Sequence, residues 1–321
     1  MKTTVLKALR QKEPVSGEEL GKAIGISRTA VWKYINELRR EGYRIDSSPS
    51  RGYSLVGTPD SLLPEEIKFG LETRILGQEI SYFREVTSTQ ATAKALAAQG
   101  AIEGTLVVAE VQSGGRGRIG RIWTSPPGGI YLSVILRPDV KPTEAPRLPL
   151  LAGVAVAQAI GQITSLNPKL KWPNDIVVNG RKAGGILTEM SAEIDRLNWV
   201  IIGIGLNVNT QKAHFSGEVQ GIATSLFEEG GECVPRVKLL QHILIEIESL
   251  YEEFLASGFE FIRQRWKAMS DTIGAQVVVR YAKDQVTGQA VDLDTDGALI
   301  LRKEDGSLER VIAGDVSLRK V

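Results

Sequence analysis

The first 40 residues place apolar side chains at helical spacing in three short segments. In the third segment Val31, Ile35 and Leu38 fall at i, i+4 and i+7, which predicts one buried stripe on an amphipathic helix. Residues 43–45 and 52–55 follow as two predicted short strands with a polar loop between them, which predicts a β-hairpin. Helices that meet at a glycine turn and lead into a hairpin have the layout of a winged helix-turn-helix unit.

Residues 56–66 contain two prolines and predict a linker, after which strands and helices mix. Short apolar runs predict buried strands, and longer stretches with helical spacing predict helices. Asn179-Gly180 stands between two apolar runs and predicts a tight hairpin turn. The expected strands are 106–111, 130–136, 176–178, 185–187 and 199–204, and the expected helices are 148–163 and 239–255.

The pattern changes again after about residue 271, where short strands alternate with polar turns such as Asp296-Gly297 and Asp305-Gly306. This spacing predicts a small all-β barrel. The whole chain is therefore expected to be an α+β multidomain protein. The expected domain boundaries are 1–60, 66–270 and 271–321.

The residue composition excludes or disfavours several kinds of site. The single cysteine, Cys233, excludes an intramolecular disulfide, and the two histidines, His214 and His242, disfavour a transition-metal enzyme. The composition still allows a Mg²⁺ ion bound through oxygen atoms, although it does not identify the ligands. Basic residues interrupt the first 14 positions, and no stretch is apolar for long enough to span a bilayer. We therefore expect no signal peptide, no membrane contact and a cytoplasmic location.

The formal net charge of +1 conceals an uneven distribution, because residues 1–55 carry 11 basic and 6 acidic side chains. Such an excess predicts a polyanionic partner. The third predicted helix also presents polar side chains opposite its buried stripe, as a helix in the major groove does. An ordinary solvated face is the alternative, and the basic excess favours DNA. The candidate DNA contacts are Ser27, Arg28, Thr29, Lys33 and Asn36.

The loop 115–120, Gly-Arg-Gly-Arg-Ile-Gly, formally matches the dinucleotide pattern G-x-G-x-x-G. That interpretation fails because the pattern needs a helix after the glycines, whereas Pro-Pro-Gly-Gly at 126–129 leads into a strand. No P-loop lysine follows either. The loop still has glycines, which let a ligand approach the backbone, and arginines, which can bind anions through two N–H groups. The loop is either a mobile anion clamp or a solvated surface loop, with Gly115, Arg116, Gly117 and Arg118 as candidates.

Four other stretches carry candidate ligand groups. The segment 171–175, Lys-Trp-Pro-Asn-Asp, ends in Asp175, which suits Mg²⁺ or a proton, although the segment taken alone favours a simple turn. Lys182 follows the predicted hairpin turn and could meet an anion or solvent. Ser88, Thr89 and Gln90 precede an alanine-rich helix, where capping is the alternative. Gln112 ends a predicted strand, and its amide could contact a polar ring or water.

In this order the motifs resemble those of the biotin protein ligases that double as repressors of the biotin operon. The resemblance covers essentially the whole chain. It is carried by Ser88-Thr89, Gly115–Arg118 with Gly120, Lys171–Asp175, Lys182 with Gly184–Leu187, and Gly203-Ile-Gly-Leu-Asn-Val-Asn209. It implies a winged helix, a catalytic α/β domain related to class II synthetases and an SH3-like C-terminal domain.

The resemblance also implies a two-step activity, that of a biotin–[acetyl-CoA-carboxylase] ligase. Biotin and ATP form biotinyl-5′-AMP, and a lysine of the biotin carboxyl carrier protein then accepts the biotin. Arg118, Lys182 and Asp175 would be catalytic, and Mg²⁺ would bridge phosphates. Ser88, Thr89, Gln90, Gln112 and the loop residues Gly115, Arg116 and Gly117 match biotin- and adenylate-binding positions. As a homodimer the protein would repress biotin genes through operator DNA.

Two positions depart from the family pattern. Gln90 stands where many members have Asn, and Ile119 replaces a basic residue, which would weaken retention of the anion. Three other functions compete: a lipoate ligase or octanoyl transferase of the same fold, a transcription factor that senses biotinyl-AMP without catalysis, and a ligase whose winged helix no longer binds DNA. The Gly-Arg-Gly-Arg loop and the winged helix favour the bifunctional biotin ligase.

Overall fold

The computed structural model describes residues 1–11, 14–48, 51–215, 220–281, 284–312 and 314–318. The chain divides into two compact units, 1–61 and 62–321. Across the described ranges, the helices are all too short or too polar to cross a bilayer.

The first unit consists of three helices and a two-stranded antiparallel sheet, as predicted. Ser16 and Glu19 form a reciprocal capping box that starts the second helix, and Gly25 ends it in the left-handed region at φ 77°. Val15 pairs with Tyr53 through two backbone hydrogen bonds, an interaction the sequence pattern did not reveal. The elements are α1 Lys2–Leu9, α2 Gly17–Ile24, α3 Arg28–Arg40, β1 Arg44–Ser48 and β2 Gly52–Gly57.

The second unit is built on a seven-stranded mixed sheet with strand order β3-β4-β5-β9-β8-β7-β6. Its strands are β3 Ile80–Val86, β4 Leu106–Gln112, β5 Ile130–Leu136, β6 Lys169–Lys171, β7 Asp175–Val178, β8 Arg181–Ala192 and β9 Leu197–Leu206. Among the described strands of this sheet, β3 and β4 are the parallel pair, because α5 (Thr89–Ala98) returns the chain between them. Asn179 and Gly180 both have positive φ, as the predicted hairpin turn requires.

Helices cover both faces of this sheet, and the period-2 alternation of its strands explains why. Leu106 and Val108 face one side, where the apolar helices α6 (Leu148–Ile163) and α8 (Arg236–Ser257) pack. Val107 between them faces the other side and joins a small cluster with Ala93 and Ala97 of α5. Shorter helices, α4 Pro64–Lys68, α7 Leu226–Gly230 and α9 Glu260–Ala268, complete this part of the unit.

The last strands form a five-stranded antiparallel sheet in the order β13-β12-β11-β10-β14. The last strand lies beside the first, which is the strand order of SH3-like domains and confirms the predicted small all-β fold. Between the described residues of β13 and β14 no pairing closes the sheet into the barrel that the sequence predicted. The strands are β10 Gln276–Tyr281, β11 Asp284–Leu293, β12 Leu299–Arg302, β13 Leu308–Val311 and β14 Asp315–Leu318.

Trp172 connects the terminal part of the chain to the seven-stranded sheet through hydrogen bonds. Its side chain is 2% exposed, and its indole N–H donates to the carbonyl of Gly297 at 3.0 Å. Its backbone N–H donates to the Thr272 hydroxyl at 2.9 Å. Buried polar groups need such partners, so the two contacts fix the position of the segment that follows Trp172.

The turn 73–76 is held by one carboxylate from α8. Glu248 is 6% exposed and accepts hydrogen bonds of 2.5 to 2.8 Å from the backbone N–H groups of Arg74, Ile75 and Leu76. A charged acceptor makes these three bonds stronger than bonds between neutral groups. The turn therefore depends on Glu248 for its conformation.

Glu248→Ala should lower the free energy of unfolding by about 2–3 kcal/mol, because it leaves three backbone donors without an acceptor. Urea denaturation of the full chain measures this change. Glu252→Ala, one helical turn away, is the matched control, since its half-exposed carboxylate pairs only with the Arg74 guanidinium. It should cost less than about 1 kcal/mol, and equal losses for the two variants would contradict this role of Glu248.

Candidate functional site

A cavity of about 540 Å³ lies within the second unit. Every ligand-binding or catalytic candidate from the sequence lines it except Gly115: Ser88, Thr89, Gln90, Gln112, Arg116, Gly117, Arg118, Asp175 and Lys182. Gly115 lies directly behind the wall, where a Cβ would overlap the carbonyl oxygen of Trp123. The structure thus gathers residues that lie nearly 100 positions apart in the sequence.

The parallel pairing of β3 and β4 creates the polar end of the cavity. Val86 lies opposite Gln112 in the register, so the carboxyl ends of the two strands meet at one edge of the sheet. The Thr89 backbone N–H donates to Gln112 Oε1 at 2.8 Å, and the Thr89 hydroxyl lies 3.1 Å from the same oxygen. Gln112 Nε2 in turn donates to Ser125 Oγ at 2.8 Å. Capping and ligand lining coincide here, since Ser88 also caps α5.

Gln90 and Ser133 extend this polar end into the buried floor. The Ser133 hydroxyl, fully buried, lies 3.0 Å from Thr89 Oγ1 and 3.1 Å from Gln90 Oε1. Gln90 is 4% exposed, and its amide packs on the Cα of Gly203, where any Cβ would overlap Gln90 Oε1. The longer amide at position 90 is therefore accommodated because β9 has a glycine beside it.

The glycine–arginine loop is closed by backbone hydrogen bonds. Gly117 N–H donates to the Arg121 carbonyl at 2.8 Å, and Trp123 N–H donates to the Gly115 carbonyl at 2.9 Å. Residues 118–120 make a single 3₁₀ turn in which Ile119 has φ 54° and Gly120 has φ 71°. No α-helix follows the glycines, as the sequence predicted. The Ile119 side chain is 71% exposed and points away from the buried floor.

Two cationic side chains, Lys182 of β8 and Arg118 of the arginine loop, line the cavity and have oxygen partners. Lys182 on β8 lies opposite Val177 of β7, and its Nζ reaches Asp175 Oδ1 at 2.5 Å. The same ammonium lies 5.5 Å from the centre of the Trp123 ring. Arg118 Nη1 contacts Asn174 Oδ1 at 3.2 Å and the carbonyl of Gly314 at 3.3 Å. These partners hold like charges close together in a partly buried space.

Sequence reasoning missed several residues of the cavity. Ser133 and Arg280 stand on strands without a local motif, so no pattern marks them. Trp123 had a signal, since it follows the arginine loop directly, yet its role depends on Gly205, where a Cβ would overlap the indole nitrogen. That nitrogen is buried and has no hydrogen-bond partner among the described residues.

The candidate DNA contacts lie in the first unit on or beside α3. Ser27 caps this helix by accepting a hydrogen bond from the Ala30 N–H at 3.1 Å. Arg28, Thr29 and Lys33 are exposed, and Asn36 is partly exposed. Trp32 is 57% exposed on the same helix, which is unusual for so large an apolar side chain and was not predicted.

Comparisons with known proteins cover all three parts of the chain. Family models match residues 2–54 (HTH domain), 82–207 (Biotin/lipoate A/B protein ligase family) and 272–319 (Biotin protein ligase C terminal domain). The bifunctional ligase/repressor BirA of Bacillus subtilis is 44% identical over 307 residues, which are 95% of this chain and 94% of that protein. The chain belongs to the bifunctional ligase/repressor family. The Escherichia coli member is 31% identical over 95% of this chain and 92% of its own length.

Solved structures of this family support the assignment. The biotin protein ligase from Aquifex aeolicus in complex with biotin and ATP is 31% identical, has a TM-score of 0.66, and covers 76% of this chain and 100% of its own. The Leishmania major ligase in complex with biotinyl-5-AMP is 28% identical with a TM-score of 0.52, over 73% of this chain and 98% of its own. The predicted resemblance and the predicted fold class are confirmed.

Ser133→Ala should lower the free energy of unfolding by about 1–2 kcal/mol, because it removes a buried hydroxyl shared by Thr89 and Gln90. Urea denaturation checks the value, and Ser113→Ala is the control, since Ser113 is exposed in the next loop. A Ser133 variant as stable as the Ser113 variant would show that the floor does not need this hydroxyl.

Proposed function

We propose that this family member activates biotin with ATP and transfers it to one lysine of the biotin carboxyl carrier protein of acetyl-CoA carboxylase. The observation that carries the proposal is a cavity in which a polar, amide-lined floor adjoins arginine and lysine side chains. Relatives at 44% identity are named as ligase and repressor, so we also propose repression of biotin genes. Residues 1–60 would bind DNA, 66–270 would catalyse and 271–321 would form the C-terminal domain.

The floor suits a small polar ring. Ser88, Thr89 and Gln112 offer hydroxyl and amide groups at the carboxyl ends of two adjacent strands, and a cyclic urea needs both donors and acceptors. Gln90, Ser133 and Gly203 close the space behind them. Because these groups already bond one another, a ring that matches them gains affinity without reorganising the wall.

Activation joins two anions, which explains the cations. An oxygen of the biotin carboxylate attacks the α-phosphorus of ATP, the bond to the bridging oxygen breaks, and pyrophosphate leaves with that electron pair. Negative charge builds up on the phosphoryl oxygens, where Arg116, Arg118 and Lys182 would stabilise it. Lys182 would exchange part of its contact with Asp175 for these oxygens.

Transfer uses the same site. The amine of the acceptor lysine attacks the acyl carbon of the adenylate, the acyl–phosphate bond breaks, and AMP leaves. The amine must lose a proton, and Asp175 is the carboxylate at the centre of the cavity that would receive it.

The donor groups fit a Mg²⁺ ion that arrives on the nucleotide rather than one held by the protein. Within the described residues no three histidine, cysteine or acidic side chains cluster as a metal site. Mg²⁺ commonly binds through one carboxylate and substrate phosphates, and Asp175 would be that carboxylate. When bound, the ion would neutralise phosphate charge.

The ligase activity is tested by incubating the chain with biotin, Mg-ATP and a carrier domain, with release of pyrophosphate and labelling of the acceptor as readouts. Arg118→Gly should still form the adenylate but release it early, because a cation contact is lost, so bystander lysines become labelled. Arg118→Lys, which keeps the charge, should restore much of the selectivity.

Absence of both adenylate and labelled acceptor would overturn the proposal. Lipoate and octanoate in place of biotin distinguish the related acyl transferases, and faster labelling with either would favour that alternative. A protein that forms the adenylate and never labels the acceptor would instead be a sensor without transfer activity.

Repression would use α3 in the major groove, with Arg28, Thr29, Lys33 and Asn36 facing the DNA. Two such helices read two half-sites when the protein is a homodimer, so we propose a dimer promoted by the adenylate. The net charge of +5 over residues 1–55 supplies the attraction to phosphate that is independent of sequence.

Lys33→Ala should weaken binding to biotin-operon DNA and reduce the slope of log affinity against log salt by about 1, if Lys33 contacts a phosphate. Fluorescence anisotropy at several salt concentrations, with biotin and ATP present, measures both quantities. Lys22→Ala is the control, because that exposed lysine on α2 pairs with Glu18. Equal slopes for the unaltered protein and both variants would show that Lys33 of α3 does not contact the DNA. Acceptor labelling should be the same for all of them.

A further inference from the structure

Arg280 belongs to the terminal five-stranded sheet and yet lines the central cavity. It stands on β10, where Val279 turns inward and is fully buried, so the alternation of the strand turns Arg280 the other way. No described residue forms a hydrogen bond or an ion pair with its guanidinium. A cation that faces a cavity without a protein partner can accept an anionic ligand at no loss of existing bonds.

The backbone around Arg280 is fixed beside Arg118. Arg280 pairs with Asp315 in the register of β10 and β14, and Gly314 precedes that residue. Gly314 packs so closely that a Cβ there would lie 3.1 Å from the Arg280 carbonyl oxygen. Because Arg118 Nη1 contacts the Gly314 carbonyl at 3.3 Å, the Arg118 guanidinium lies beside the backbone that carries Arg280, and both arginines line the cavity.

The position of Arg280 relative to the polar floor indicates which part of the substrate it would bind. The polar floor lies at β3, β4 and β5, whereas the terminal sheet is attached beyond β7, through Leu170 and Trp172. From β4 to β7 the strand order has four spacings of about 4.8 Å, so these two strands lie roughly 19 Å apart across the sheet. A ring on the floor therefore directs its acyl chain toward Lys182 on β8, with Arg280 farther along.

Phosphoryl transfer has a defined direction at the phosphorus atom. The attacking oxygen and the leaving oxygen lie on opposite sides of the phosphorus, roughly in line. A carboxylate that approaches from the floor therefore expels pyrophosphate toward the terminal sheet. Six basic side chains line the cavity against the single carboxylate of Asp175, which is a large positive excess for a ligand with several phosphates.

We propose that Arg280 binds the β- and γ-phosphates of ATP and then the departing pyrophosphate, so that the terminal sheet supplies part of the adenylation site. This inference rests on the ATP-dependent activation proposed above. Arg280 touches the leaving group and makes no contact with the acyl-adenylate, whose phosphate is the α-phosphate alone. Its effect is therefore confined to the first half-reaction.

The test separates the two half-reactions in the full-length protein. For Arg280→Gln, the KM for ATP in pyrophosphate release should rise about tenfold, and inhibition by added pyrophosphate should weaken by a similar factor. The KM for biotin should stay unchanged, as should the rate of acceptor labelling from preformed biotinyl-5′-AMP. Arg280→Lys should recover part of the affinity for ATP.

Arg302→Gln is the matched control, an exposed arginine on β12 of the same sheet that does not line the cavity. An unchanged KM for ATP in Arg280→Gln would overturn the inference. A defect only in labelling from preformed adenylate would also overturn it, because Arg280 would then act in the transfer step and not in ATP binding. If the unaltered protein forms no adenylate at all, the proposed function fails instead, so the two failures are distinguishable.

Discussion

Repulsion between like charges is the constraint on which the site is organised. A reaction that brings a carboxylate to a polyphosphate needs several cations in one partly buried space. Without the negative charges of the ligands, those cations repel one another. The fold meets this constraint by bringing the cations from the arginine loop and from separate strands, and by giving two of them oxygen partners. Lys182 has the Asp175 carboxylate, and Arg118 has the Asn174 amide and the Gly314 carbonyl.

The apolar sandwich makes that arrangement possible. Helices on both faces hold the seven strands in register, and two adjacent strands that run in parallel bring Thr89 and Gln112 together. Glycines on β9 then keep the cavity open, since side chains at Gly203 and Gly205 would displace Gln90 and Trp123. Packing, rather than the charged groups themselves, therefore determines where the charges meet.

The sequence predicted the parts of this structure that depend on local patterns. The helix 148–163, the hairpin turn at Asn179-Gly180 and the arginine loop follow from periodicity, turn chemistry and glycine spacing, and the structure has them at those positions. Ser133 and Arg280 could not be predicted in this way. Their roles arise from strand order and from the docking of the terminal sheet, and neither leaves a mark in the neighbouring residues.

Trp172 has a consequence for how the second unit comes apart. Its indole and backbone N–H groups bond to Gly297 and Thr272, so the boundary near residue 270 that is visible in the sequence is crossed by buried hydrogen bonds. Melting of the terminal sheet would remove the hydrogen-bond partners of a tryptophan that lines the cavity. The two sheets should therefore unfold cooperatively, and heat should abolish adenylation at the temperature at which the terminal sheet is lost.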